Sequence, residues 1–165
     1  MHELRRGPGL WKYALPRLTR ALACHQFRDA FVSMLRYIEL KSGFQDNGPA
    51  WIGRVTLSNS GTTVYFNGRA LRRAKGRGNS GNHFDVESGD EFWISRPKKN
   101  GEDRRRGCSA RILIEAAVVD EYVALRNLTT LDSALYEVTN SIVQTDTARF
   151  HAIENRRHTV ASHDR

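Results

Sequence analysis

The chain has 165 residues, and 26 Lys+Arg against 18 Asp+Glu give a formal net charge of +8, with a sequence pI near 10.0. That length suits one modest domain and argues against a two-domain enzyme; 39% hydrophobic against 27% charged residues is the balance of a soluble chain. No stretch approaches the ~18 apolar residues of a membrane-spanning helix. Cys24 and Cys108 form neither a disulfide framework nor a metal-binding pattern. The expected setting is therefore a reducing one, the cytoplasm, with no membrane partner and no cofactor.

Charge is unevenly distributed. Residues 1–50 carry 8 basic and 4 acidic side chains, 51–107 carry 12 and 6, and 108–165 carry 6 and 8, so the net charge runs +4, +6 and −2. Residues 1–33 are arginine-rich and interrupted by Pro8 and Pro16, with a weak helical pattern through Leu18 and Leu22 and no apolar run followed by a cleavage site. They read as a poorly ordered basic extension, and Met34 reads as an alternative start.

From Met34 the pattern is that of a β-meander. Leu35 to Lys41 reads as a strand, followed by the turn chemistry of SGFQDNGPA. Trp51 to Leu57 is the next strand, with Trp51, Val55 and Leu57 on one face and Arg54 and Thr56 on the other. Pairing Leu57 with Thr62 sets Val55 against Val64 inside, and Arg54 against Tyr65 and Thr56 against Thr63 outside. Asn67-Gly68 suits a two-residue type I′ turn that places Val64 opposite Leu71 and leaves Arg72 outside. In the hairpin HFDVESGDEFWIS, a three-residue Ser88-Gly89-Asp90 loop pairs Val86 with Phe92 and Phe84 with Ile94. His83, Asp85, Glu87, Glu91 and Trp93 then share the outer face. Ser109 to Ile114 reads as a last strand. Helical spacing follows over Glu115 to Arg126, then from Thr130 or Leu131 to about Val143, and a final short helix is capped by Asp146.

The fold expected is α+β: an antiparallel, twisted β-meander or small open barrel of about six strands followed by two or three helices. Residues 34–126 form the β-rich core with its closing helix. Residues 127–165 form a helical extension with a frayed tail.

The segments GPAWIGRVTLSNSGTTVYFNGRALRR, GNHFDVESGDEFWISRPKKNGEDR and EAAVVDEYVAL together resemble a family of short bacterial proteins of uncharacterised function. That family shares an AWI / YFNGR / GNHFDVESGDEFWIS / KKNGEDR pattern, and the resemblance spans about Met34 to Leu125. Some members carry a deoxyxylulose-phosphate synthase label. A thiamine-dependent transketolase-like enzyme needs several hundred residues, so the resemblance implies an outline of the core and no mechanism.

Three patterns bear on chemistry. Gly76 to Gly81 spells G-x-G-x-x-G but lies between two strands and opens no helix, so it lacks the helix terminus that holds a pyrophosphate. Its amides, with Lys75 and Arg77, could instead form an anion nest. His83, Asp85 and Glu87 alternate on one face and could bind a divalent cation or serve a metal-dependent hydrolase, but no second histidine or cysteine is fixed nearby by spacing, and carboxylates that are solvated or paired with the abundant Arg and Lys are the favoured reading. The favoured signal is a basic surface interleaved with aromatics: Arg54, Tyr65 and Arg72 on one face, Lys75 and Arg77 in the next loop, Trp93 on a polar face, and Lys98, Lys99, Arg104 and Arg105 in one exposed loop. Such surfaces hold phosphates by charge while bases stack on rings. The expected partner is nucleic acid or another polyanion; a protein-interaction module is the alternative, and an enzyme is the least favoured class.

Overall fold

The computed structural model describes residues 32–42, 48–74, 81–104 and 110–152. Residues 1–31, both cysteines, Lys75, Arg77 and Arg105 lie outside the described residues. The first strand, β1 (Ser33–Leu40), is followed by β2 (Ala50–Leu57), β3 (Thr63–Phe66), β4 (Arg69–Arg73), β5 (His83–Asp85) and β6 (Glu91–Ser95). Each pairs antiparallel with the next, and β6 returns to β1, so the six strands close into a barrel. Closure leaves these strands no free edge, where the sequence pattern suggested an open barrel or meander.

The barrel interior is built from one face of each strand: Ile38, Val55, Val64, Phe66, Leu71, Phe92 and Ile94, with Met34, Leu40, Trp51 and Leu57 packed against them. The Asn67-Gly68 turn forms as its chemistry dictates. Both residues have positive φ, 47° and 73°, and Val64 pairs with Leu71, as expected. Between β2 and β3 the register is Leu57 with Val64 and Thr56 with Tyr65. This is a two-residue shift from the expected pairing, and an even shift keeps every side chain on its expected face.

The β5–β6 hairpin departs from expectation by an odd shift. His83 pairs with Phe92 and Phe84 with Glu91, which turns His83 and Asp85 toward the face of Leu71 and Phe92 and puts Phe84 outside. The cause is Asp85. Its carboxylate receives Arg69 Nη1 at 2.7 Å and the Glu87 N–H at 3.0 Å, while its own N–H donates to the Asp90 carbonyl at 2.8 Å. Residues 86–89 therefore form the loop, with Gly89 at φ 79°. Apolar alternation was no guide here because the outer face is covered as well: Val86 packs against Tyr65, Ala70 and Phe150.

Beyond the barrel, β7 (Ile112–Glu115) runs parallel to β2, and β8 (Tyr136–Thr139) runs parallel to β7. A 3-10 turn, Ala116–Val118, leads into α1 (Val119–Arg126), which ends at left-handed Asn127. This β7–α1–β8 crossover covers the outer faces of β1 and β2, burying Leu35, Tyr37, Ile52, Ile114, Val118, Tyr122 and Tyr136 together. The helix expected over 131–143 is not formed. Its stripe is divided: Leu131 packs on the outer layer, Ile142 packs on the barrel, and Leu135 and Val138 are exposed. Pairing along β7 satisfies the backbone of Tyr-Glu-Val-Thr, a sequence rich in strand-forming residues. A short helix, α2 (147–152), is capped by Asp146 as expected. Among the described residues the fold is thus mostly β: a closed six-stranded barrel, two added strands and few short helices.

Gly53 marks where β2 changes neighbour. Before it, Trp51 and Ile52 pair with β7; after it, Thr56 and Leu57 pair with β3. A Cβ at Gly53 would stand 2.6 Å from Phe66 Cε2 and 3.2 Å from Glu115 Oε2, closer than packed atoms tolerate. Gly53→Ala is expected to lower the unfolding free energy by ~1–3 kcal/mol through overpacking, measured by urea denaturation against the parent chain.

Candidate functional site

Of the residues expected to form a basic and aromatic surface, several are not available to a ligand. Tyr65 is buried beneath α2, its ring centroid 6.3 Å from that of Phe150 and 6.1 Å from that of His151. Trp93 is half-buried against the outer layer. These two positions therefore correct the expectation of exposed stacking rings: each outward-facing ring lies under an element that the strand pattern alone does not supply. Arg54 is exposed but ion-paired with Glu121, and its backbone N–H donates to Glu115 Oε2 at 2.8 Å. Arg104 donates to the carbonyls of Ala110 and Gly48 at 2.6 and 3.1 Å, so it ties loops together.

The metal or hydrolase constellation does not assemble either. Asp85 faces Arg69, Glu87 is exposed and paired with Arg149, and His83 Nδ1 lies 2.8 Å from Asn82 Oδ1. Among the described residues no group of three His, Cys, Asp or Glu side chains is placed to hold a metal ion.

What the fold does assemble is one end of the barrel. In an antiparallel barrel the start of each odd strand and the finish of each even strand lie at the same end. Arg36, Arg72, Arg73 and Arg96 occur there, and the segments 33–36, 55–63, 71–74, 81–84 and 93–97 contain no Asp or Glu. None of the four arginines has a carboxylate partner among the described residues. Ala74 and Asn82, which flank residues 75–80, meet at this end through an N–H···O bond of 3.0 Å; the six-residue stretch between them contains Lys75, Arg77 and no acid. Three acids pair across the strands with residues of these segments: Asp85 opposite Leu71 and Glu39 opposite Trp93, each ion-paired with its own cation, and Glu91 opposite Phe84, whose carboxylate accepts the Gly81 N–H at 3.1 Å.

The opposite end is acidic and internally neutralised. Lys41 Nζ lies 2.9 Å from Glu39 Oε2, and Arg69 Nη1 lies 2.7 Å from Asp85 and 3.6 Å from Asp90. Only Arg72 of the expected described residues belongs to the basic end proper. Lys98 and Lys99 follow directly from it and are exposed. Their loop is rigidly held: Asp103 accepts the Lys98 N–H at 2.6 Å, and Arg126 donates from Nε to the Lys99 carbonyl at 3.0 Å and from Nη1 to the hydroxyls of Tyr122 and Tyr136. Arg36, Arg73 and Arg96 are members that strand alternation did not reveal. The available signal was the absence of acids from alternate strand ends, legible only once the strand order is known.

Compared with family models, with curated proteins and with solved structures, the chain finds no match in any of the three. The site therefore has to be read from its own geometry.

His83 lies at this end, opposite Arg73 on β4. Burial, and then the adjacent Arg73 charge, pull its pKa down to about 4, so its imidazole is neutral at pH 7. Asn82 Oδ1 already accepts the Ile94 N–H at 2.7 Å, so His83 Nδ1 is the donor in their bond. Between the ordinary histidine value near 6.5 and 4, the unfolded chain binds a proton that the native chain does not. Stability therefore falls as pH drops through that window. His83→Gln is expected to flatten this part of the curve, read as the difference between the two proteins' urea midpoints from about pH 7 to about pH 4.

Proposed function

We propose that the protein is a small binding protein whose partner is nucleic acid or a comparable polyanion, held at the basic end of the barrel. The observation that carries this reading is the set of four arginines gathered at strand ends without a carboxylate counterpart among the described residues. Unpaired cations on converging strand ends raise the local potential and favour phosphate contacts. The flanking Lys98 and Lys99, whose backbone is held by Asp103 and Arg126, extend the same surface.

A protein-interaction reading has one observation in its favour, the outer strand β8, where Leu135 and Val138 are 56% and 53% exposed. Scattered apolar residues of this kind are ordinary on surfaces, and the basic end is preferred as the site.

Arg72→Ala combined with Arg73→Ala is expected to weaken oligonucleotide binding at about 50 mM salt and, on single strands, to lower the slope of log K against log salt by ~0.7 for each phosphate no longer neutralised. Arg111→Ala serves as the control, because Arg111 directly precedes β7 and pairs with Glu137 of β8 at 2.8 Å; it should leave the slope unchanged. Binding measured by fluorescence anisotropy that is absent, or indifferent to salt, overturns the proposal.

A further inference from the structure

The basic end continues into a groove of about 570 Å³ between β1, the loop after β6 and α1, a volume typical of ligand sites. Its apolar lining is Met34, Leu35, Pro97 and Leu125. Its charged rim holds Arg36, Arg96 and Lys99, and the single acid among the described residues that lines it, Glu121, is engaged by Arg54.

A facing pair of arginines calls for an anion here. Tyr37 pairs with Ser95, and carrying that register one residue further sets Arg36 opposite Arg96. Like charges directly opposite one another destabilise a sheet, and no carboxylate among the described residues lies between them to offset the cost. Arg36 feels this: burial first, and then the Arg96 charge, lower its pKa from the ordinary arginine value, while its Nη1 donates to the Leu35 carbonyl at 2.9 Å. An anion placed between the two guanidinium groups removes the repulsion.

The apolar lining adds a second requirement. A bare phosphate or polyphosphate has no use for Met34, Pro97 and Leu125. A duplex keeps its bases stacked within and offers this lining only its backbone. A single strand presents phosphates and unstacked base faces together, and planar guanidinium groups also stack on bases.

We infer that the groove seats a base of a single-stranded nucleic acid whose adjoining phosphates lie on Arg36, Arg96 and Lys99, making the basic end selective for single strands. This rests on the polyanion reading above and deepens it.

The test uses the full chain and three probes: a labelled single-stranded oligonucleotide, the same sequence as a duplex, and inorganic polyphosphate. The single strand should bind about tenfold tighter than either of the others. Leu125→Gln should remove that advantage while leaving polyphosphate binding unchanged. Should Leu125→Gln fail to fold, photocrosslinking of a bromodeoxyuridine-containing strand to the parent chain replaces it, with crosslinks expected within residues 34–36, 96–99 or 121–125. Equal binding of the three probes, an unaltered Leu125→Gln variant or crosslinks elsewhere overturn the groove and leave the polyanion reading standing. Failure of all three probes to bind overturns both.

Discussion

The architecture depends on β2 serving two neighbours in succession. Its first half pairs with β1 on one side and β7 on the other; past Gly53 it passes to β3. The change of partner needs a residue without a side chain, because Phe66 fills the space a Cβ would take, its ring set edge-on to Trp51 at 6.3 Å. Two layers follow from that one bend. Barrel closure buries Val55 and Phe66 inside, while the parallel extension through β7 and β8 gives α1 a surface of Leu35, Tyr37 and Ile52 to cover. β1 and the first half of β2 are buried on both faces as a result, a reason their sequences do not show a simple alternation of apolar and polar residues.

Closure also sorts the charges. Along the chain, arginines and carboxylates alternate at short intervals. Once the strands run up and down a barrel, Arg36, Arg72, Arg73 and Arg96 fall at one end, and Glu39, Asp85 and Asp90 at the other. At the acidic end Asp85 acts twice, pairing with Arg69 and organising the turn that follows it. At the basic end no comparable pairing exists among the described residues, and the polyanion reading grows from that asymmetry.

Several features were legible from residues alone because a local rule governs them. The Asn67-Gly68 turn needs positive φ at both positions, and few other dipeptides supply it. Asp146 caps α2 and Asn127 ends α1 for similarly local reasons. The interior set Val55, Leu57, Val64 and Leu71 was likewise readable, since even shifts of register leave faces unchanged. The β5–β6 hairpin was not, because its register is set by an ion pair between Asp85 and Arg69, sixteen residues earlier. Nor was β8: Leu131, Leu135, Val138 and Ile142 have helical spacing, but the edge of β7 takes residues 136–139, Val138 among them, as a strand.

The candidate site was half legible for the same reason. Its basic character, and the places of Arg72, Lys98 and Lys99, follow from composition and turn chemistry. That Tyr65 lies under Phe150, that Arg54 is spent on Glu121, and that Arg36 stands opposite Arg96 are long-range facts. Local turns, caps and strand faces are determined by the sequence because each depends on a few adjacent residues. Which face is covered, which charges are paired and which strand ends converge were decided only by tertiary structure, because those depend on closure of the barrel between segments far apart in the chain.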